Sequence, residues 1–121
     1  MGKAEDEFAL YHNPRCSKSR SALSLLLDQG VSPTVIEYLK TPPSKDELRD
    51  LVSRLGIKPE ALVRKSEAAY KEHFAGKRLT DEEWLEAMAS NPILIERPIA
   101  VKGERAVVGR PPERVLELVP R

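Results

Sequence analysis

The feature that most restricts how this chain can fold is a strand, helix and strand pattern within its first 39 residues. Phe8–Tyr11 is a short apolar run, typical of a buried strand. Between Ser17 and Gly30 the pattern is helical, and the apolar residues at helical spacing are Ala22, Leu23, Leu26 and Leu27. Val35–Leu39 is rich in β-branched and aromatic residues and predicts a second strand. This arrangement is a βαβ unit, for which a right-handed crossover is expected.

The middle of the chain is predicted to be helical. Two pairs of residues have the spacing of a capping box: Ser44 with Glu47, and Thr80 with Glu83. Gly56 and Asn91 mark the ends of the two helices, and Pro59 starts a short helix between them. The apolar faces of the two long helices are formed by Leu48, Leu51, Val52 and Leu55, and by Trp84, Leu85 and Met88.

The last third returns to strands. Ile99–Val101 and Ala106–Val108 flank a turn that contains Gly103, a pattern that predicts a hairpin. A final helix follows the Pro-Pro pair, and its predicted inner residues are Val115, Leu116 and Val119. The order of elements predicts an α/β class and one thioredoxin-like domain over residues 1–121. Its mixed four-stranded sheet would be flanked by helices, with a helical insertion at about 41–95.

The composition restricts the class of function. With 20 Lys and Arg residues against 19 Asp and Glu residues, the net charge of +1 argues against a general nucleic-acid-binding role. No apolar run approaches the roughly 20 residues that span a bilayer, and the polar start does not resemble a signal peptide. We therefore expect a cytoplasmic protein with neither a membrane nor a nucleic acid as partner. A single cysteine excludes an internal disulfide and agrees with a reducing compartment.

Cys16 is the first candidate for chemistry. It lies between the first strand and the first helix, where free amides and the helix dipole favour an anion and lower the pKa of a thiol. His12 is four residues upstream, and three cationic side chains are close in sequence: Arg15, Lys18 and Arg20. The alternative is a small buried residue with no chemical role. The polar and basic neighbours of Cys16 favour the reactive thiolate.

A resolving cysteine is missing. Redox motifs of the Cys-x-x-Cys type place a second thiol three residues after the first, and in this chain that position is Ser19. Ser19 either donates a hydrogen bond to the thiolate or is an ordinary serine on the helix surface, and the spacing leaves both open. A covalent adduct on Cys16 must therefore be released by a thiol from outside the chain, most simply glutathione or a partner thiol protein.

Three arginines stand in unusual sequence contexts: Arg64 after an apolar trio, Arg97 before a proline, and Arg110 between a glycine and two prolines. A planar guanidinium binds the oxygens of an oxyanion bidentately, so these residues are candidates for such a site. The alternative is ordinary surface charge. Either isomer of the Arg97–Pro98 bond is compatible with the sequence.

Five ordered segments carry a resemblance to a known family. They are 11–20 (YHNPRCSKSR), 37–43 (EYLKTPP), 62–65 (LVRK), 91–99 (NPILIERPI) and 108–113 (VGRPPE). In their order and approximate spacing, over about residues 8–119, the chain resembles the glutaredoxin-coupled arsenate reductases. The loop Arg-Cys-Ser-Lys-Ser-Arg is similar to that of a chromosomal-type subgroup, whereas the best-known plasmid-borne members have Ala before the Cys and Gly-Thr after it.

This resemblance implies a thioredoxin-like fold and the reduction of arsenate to arsenite. Cys16 would attack arsenate or a similar oxyanion and form a covalent adduct. Glutathione would then add as a co-substrate, and glutaredoxin would reduce the adduct and release arsenite. The resemblance implies no bound cofactor and no metal.

The resemblance also implies roles for individual residues. By motif match, the oxyanion would be bound by Arg64, Arg97 and Arg110. His12 would support thiolate formation, Ser19 would hydrogen-bond the sulfur, and Pro98 would be the cis-proline of the fold.

Other functions stay open at this point. A glutathione-dependent reductase of another oxyanion or of a mixed disulfide would use the same residues. A redox-responsive regulator that binds RNA polymerase would share the fold. Such regulators typically carry Cys-x-x-Cys and lack the full arginine set, which counts against that interpretation. An inert domain with structural arginines is the remaining alternative.

Overall fold

The computed structural model describes residues 7–119 of the chain. These residues form two compact units. The sheet unit consists of the described residues up to Thr41 and from Arg97 onwards, and the helical unit is Pro42–Glu96. The organisation as one domain with an insertion at about 41–95 stays a prediction.

The sheet unit contains four strands, one α-helix and one 3₁₀ helix. In chain order these are β1 (Phe8–His12), α1 (Ser17–Asp28), β2 (Thr34–Glu37), β3 (Ile99–Lys102), β4 (Arg105–Val108) and the 3₁₀ helix Pro112–Leu118. The strand order is β2-β1-β3-β4. β1 pairs parallel with β2, whereas the β1–β3 and β3–β4 pairs are antiparallel. The predicted α/β class and mixed four-stranded sheet are therefore confirmed.

The core of the sheet unit is built from residues that recur at the two-residue period of the strands and at the helical period of α1. Alternate residues of β1 are buried, as expected for a strand with one face on the core. The core cluster consists of Phe8, Leu10, Ala22, Leu26, Ala100, Val107, Val115 and Leu118. Leu27, one of the four apolar residues at helical spacing in α1, is 52% exposed. Ala22 and Leu26 are four residues apart and share a helix face, whereas Leu27 lies about 100° further round.

The last helix differs from its prediction in type and in buried face. It is a 3₁₀ helix over Pro112–Leu118, and its buried residues are Val115 and Leu118 rather than the expected Val115, Leu116 and Val119. A 3₁₀ helix has three residues per turn, so residues i and i+3 lie on the same side. Leu116 is displaced from the core side for this reason, while Val119 packs against the cluster only in part.

The helical unit contains α2 (Lys45–Leu55), the 3₁₀ helix Pro59–Leu62, α3 (Ala68–His73), α4 (Asp81–Ser90) and the 3₁₀ helix Pro92–Leu94. Both predicted capping boxes are present at the starts of α2 and α4. Gly56 ends α2 in the left-handed conformation with φ of 69°. None of the helices within residues 7–119 combines the length and the apolar character that a bilayer span requires.

Helix α3 was not predicted from the sequence. It has only six residues and no side-chain cap, so no local signal marks its start. Tyr70 of α3, and Phe74 directly after the helix, instead contact Trp84 of α4. The ring of Tyr70 stacks on Trp84 at 6.3 Å between centroids, and that of Phe74 lies 5.9 Å away. The contacting residues are 14 and 10 positions apart, which is more than a capping or periodicity signal spans.

The close packing around Gly109, which lies between β4 and the last helix, can be tested by substitution. A Cβ at this position would lie 2.8 Å from Cγ of Pro98 and 3.0 Å from Cγ1 of Val115. Because a proline ring cannot rotate away, we expect Gly109→Ala to lower the free energy of unfolding by about 1–3 kcal/mol. Urea denaturation measures this change. Ser53→Ala, at an exposed position of α2, is the control and should cost almost nothing. An unchanged unfolding midpoint for Gly109→Ala would contradict the close approach.

Candidate active site

Asn13 organises the loop that joins β1 to α1. Its carbonyl oxygen accepts the backbone N–H of Cys16 at 2.9 Å. Its side-chain oxygen accepts the backbone N–H of Arg15 at 3.0 Å, and its own backbone N–H donates to Oγ of Ser19 at 3.3 Å. Both Asn13 and Ser19 are buried. These bonds fix the loop from inside, so that Cys16 is the N-cap of α1 and its carbonyl accepts the N–H of Arg20.

The thiol of Cys16 lies where α1 presents free amide groups. Partial burial raises its pKa, but the backbone N–H groups of Ser19 and Lys18 and the guanidinium of Arg97 favour the anion more strongly. The pKa of Cys16 is consequently lowered to about 7. At that value, roughly half of the molecules carry a thiolate at neutral pH.

Two arginines meet at this sulfur. Arg97 is 6% exposed, and its side chain hydrogen-bonds Cys16. Nη2 of Arg110 lies 3.8 Å from Sγ of Cys16, while its Nε donates to the carbonyl oxygen of Arg97 at 2.8 Å. The Arg97–Pro98 bond is cis, as the resemblance implied, and the Arg110–Pro111 bond is also cis, which was not predicted. The site therefore places two fixed cations beside a thiolate.

His12 is buried at the end of β1. Burial lowers its pKa below 6.5, and the charge of Arg20 acts in the same direction, whereas the carboxylate of Glu37 opposes them. Its Nδ1 has no hydrogen-bond partner among the described residues. His12 lines a cavity of about 200 Å³, together with Asn13, Pro14, Arg15, Glu37, Leu39 and Lys40. The imidazole is therefore neutral near pH 7 and able to accept a proton.

Ser19 contacts the sulfur through its backbone N–H, and its hydroxyl oxygen accepts the N–H of Asn13. A hydrogen bond from the hydroxyl to the sulfur stays a prediction. Arg64 belongs to the helical unit, where its Nε lies 3.1 Å from Glu67 and its Nη1 lies 3.6 Å from Glu96. The role of Arg64 toward an oxyanion likewise stays a prediction.

Sequence reasoning missed two contributors to the site, Asn13 and Gly109. Asn13 received no role from the sequence, although an Asn-Pro pair before a helix is a typical Asx-turn signal. The contribution of free amides at the start of α1 was expected, and the structure identifies them as the backbone N–H groups of Lys18 and Ser19. The N–H of Gly109 donates to the carbonyl of Pro98 at 2.8 Å. Because Gly109 has no side chain, the backbone just before Arg110 can lie against the ring of Pro98.

Comparison with known proteins gives consistent results. The model of the ArsC family matches residues 11–118. The uncharacterised protein YfgD of Escherichia coli K12 is 50% identical over 112 residues, which are 91% of this chain and 94% of that protein. An arsenate reductase of Escherichia coli is 44% identical over 92% of this chain and 79% of its own length. The solved structure of an arsenate reductase from Vibrio cholerae superposes with a TM-score of 0.90 at 48% identity, covering 94% of this chain and 98% of that one.

The lowered pKa of Cys16 can be tested by alkylation. The rate of reaction with iodoacetamide should rise with pH and have its midpoint near 7. Arg97→Ala removes a hydrogen bond and a positive charge that favour the thiolate, so it should lower the rate at pH 7 by about tenfold. Arg105→Ala, an exposed arginine of β4, is the matched control and should leave the profile unchanged. A midpoint at the ordinary thiol value near 8.5 would contradict the assignment.

The protonation of His12 can be followed by NMR titration of its imidazole nitrogens. Because burial dominates, we expect the midpoint to lie below 6.5. Glu37→Gln should lower it further, since the carboxylate of Glu37 favours the imidazolium. A midpoint that rises in Glu37→Gln would show that the two groups do not interact as described.

Proposed function

Because this chain belongs to the ArsC family, we propose that it is an arsenate reductase in which Cys16 is the nucleophile. The observation that carries the proposal is a thiol with a pKa of about 7 in contact with the guanidinium groups of Arg97 and Arg110. Relatives that bear the name arsenate reductase support arsenate as the substrate.

The chemistry of arsenate accounts for this combination of groups. Arsenate is an anion at neutral pH, and a thiolate that approaches it meets electrostatic repulsion. Arg97 and Arg110 offset this repulsion, because their N–H groups can hold the arsenate oxygens while the sulfur approaches arsenic. The Arg110 side chain is held by its hydrogen bond to the carbonyl of Arg97, and the Arg97 side chain is buried and bonded to Cys16, so little reorganisation accompanies the reaction.

In the first step, the sulfur of Cys16 bonds to arsenic and one arsenate oxygen leaves as water after protonation. Arsenic stays in its pentavalent state. His12 is the proposed acceptor of the thiol proton, since a neutral imidazole can take that proton and a charged one cannot. Ser19 is retained as a group that positions the sulfur.

Later steps need thiols from outside the chain, because Cys16 is its only cysteine. The thiol of glutathione adds to the arsenic, and a second oxygen leaves as water. Glutaredoxin then attacks the glutathione sulfur, a disulfide forms between them, and arsenic receives two electrons. Water finally cleaves the bond between arsenic(III) and Cys16, which releases arsenite and restores the thiol. A reducing compartment such as the cytoplasm fits this cycle.

Arg64 is retained as a third oxyanion ligand on the strength of the motif match. Its guanidinium is already neutralised in part by Glu67 and Glu96. Arg64→Ala should raise the KM for arsenate if this role is correct. An unchanged KM would leave Arg64 as a structural residue of the helical unit.

The activity test is arsenite production from arsenate, glutathione and glutaredoxin. Cys16→Ser should abolish turnover, and Arg97→Ala or Arg110→Ala should lower kcat/KM for arsenate by about 10²-fold, as for loss of one donor to a developing anion. Arg105→Ala is again the matched control and should retain full activity.

Two outcomes would redirect the assignment. Turnover that persists in Cys16→Ser would exclude this thiol as the nucleophile. A folded wild-type protein that yields no arsenite, yet reduces a mixed disulfide with glutathione, would favour the alternative reductase that uses the same residues.

A further inference from the structure

The cavity that His12 lines lies at the carboxyl ends of the parallel strands β1 and β2, a common place for functional groups in α/β sheets. His12 and Glu37, the last residues of the two strands, both line it, and the loops that follow the strands complete it. The proposed function uses His12 as the base of the first step and gives Glu37 no part. The geometry of this cavity relates the two residues.

His12 and Glu37 are neighbours across the sheet. In the parallel pairing of β1 with β2 they occupy the same register position. Side chains at one register position of paired strands extend to the same face, and neighbouring strands lie about 4.8 Å apart. The Glu37 carboxylate therefore stands beside the imidazole, and its negative charge favours the protonated ring.

The other charged groups around His12 have the opposite sign. The set consists of the cations Arg15, Lys40 and Arg20 and the carboxylate Glu37. Positive charge disfavours a protonated imidazole, and so does burial, since His12 is only 5% exposed. Glu37 opposes both effects, and its Oε1 lies 3.3 Å from Nζ of Lys40. A base at this position therefore depends on Glu37.

One ring nitrogen of His12 has an unsatisfied hydrogen-bonding capacity. Nδ1 is buried and has no hydrogen-bond partner among residues 7–119. Buried polar atoms are nearly always paired in folded proteins, and those that the protein leaves unpaired bind ordered water or have a catalytic role. The cavity of about 200 Å³ holds several waters, since one water takes about 30 Å³ in the liquid. Water is thus the available partner for the ring.

We propose that Glu37 is a positioning residue of the first reaction step. Through water in the cavity, its carboxylate holds the proton of neutral His12 on the ring nitrogen nearer to Glu37, because the partner of one nitrogen decides the protonation of the other. The second nitrogen keeps its lone pair and can take the thiol proton of Cys16. The inference rests on the proposed function, in which His12 is the base, and adds the residue that prepares it.

The proton balance of this step follows from the two ring nitrogens. Cys16 loses its proton to the lone pair of His12, which gives a thiolate and an imidazolium. The imidazolium then releases a proton to the water of the cavity, so one proton passes from the thiol to solvent and no oxidation state changes. Cys16 itself does not line the cavity, and in this scheme the imidazole is the link between them.

The tautomer of His12 can be measured without turnover. At about pH 8 the ring is neutral, and the nitrogen NMR shifts of the imidazole report which nitrogen carries the proton. We expect one tautomer to dominate in the wild type and Glu37→Gln to change the tautomer ratio by about fivefold, as for loss of a charged partner acting through water. Glu37→Asp keeps the charge and should stay within about twofold of the wild-type ratio. The ring signals of His73, the other histidine of the chain, are the internal control.

The rate of alkylation of Cys16 by iodoacetamide is the second test, because the need for a base depends on pH. Below the thiol pKa of about 7, most molecules carry the thiol, and a proton must leave as the sulfur attacks. We expect Glu37→Gln to lower the rate by about fivefold at pH 6.5 and to leave it almost unchanged at pH 8.5, where the thiolate is already formed. Glu104→Gln, which changes an exposed carboxylate in the hairpin turn, is the matched control and should alter neither rate.

The outcomes separate this role from the proposed function. Arsenite formation by Glu37→Gln should show the same pH dependence as alkylation. An unchanged tautomer ratio, or a loss of alkylation rate that is equal at both pH values, would overturn the positioning role even if arsenite is formed. A wild-type protein that forms no arsenite, yet has a Glu37-dependent tautomer and alkylation rate, would overturn the reductase proposal and support the role of Glu37.

Discussion

A thiolate held at the amino end of α1 is the interaction on which the rest of the candidate site depends. Burial of Cys16 by itself raises the pKa of the thiol. The opposite result, a pKa of about 7, requires the amides of Lys18 and Ser19 to point at the sulfur and Arg97 to reach it. Asn13 secures this geometry, because its hydrogen bonds to Cys16, Arg15 and Ser19 set the direction in which α1 begins.

The two arginines illustrate how backbone contacts position charge. The hydrogen bond from Nε of Arg110 to the carbonyl of Arg97 restrains the Arg110 side chain. That bond requires the segment before Arg110 to pass close to Pro98. The space at position 109 has no room for a Cβ, and a glycine occupies it. The chain thereby fixes both cations beside the sulfur. A site that joins an anionic nucleophile to an anionic substrate needs this preorganisation, since flexible cations would have to be ordered during the reaction.

The sequence correctly predicted the features that depend on interactions between residues close together in the chain. The capping boxes at Ser44 and Thr80, the left-handed stop at Gly56 and the period of β1 all depend on residues within one or two turns of each other. The errors occurred where distant contacts decide the structure. Leu27 faces solvent because the position of the sheet selects the face of α1 that is buried. The region of helix α3 packs on Trp84 through the rings of Tyr70 and Phe74, which precede Trp84 by 14 and 10 residues, more than a cap or a helical period spans.

The sequence by itself determined the chemical inventory: one cysteine at a strand-to-helix junction, no resolving thiol, and arginines in contexts bounded by glycine and proline. Tertiary structure alone decided which groups meet. The loop at Cys16 and the segments carrying Arg97 and Arg110 are separated by about eighty to ninety residues and come together because β1 pairs with β3, and β3 with β4. Sheet pairing and the hydrogen bond from Arg110 to Arg97 join separate segments of the chain. Neither can be predicted from a local sequence pattern.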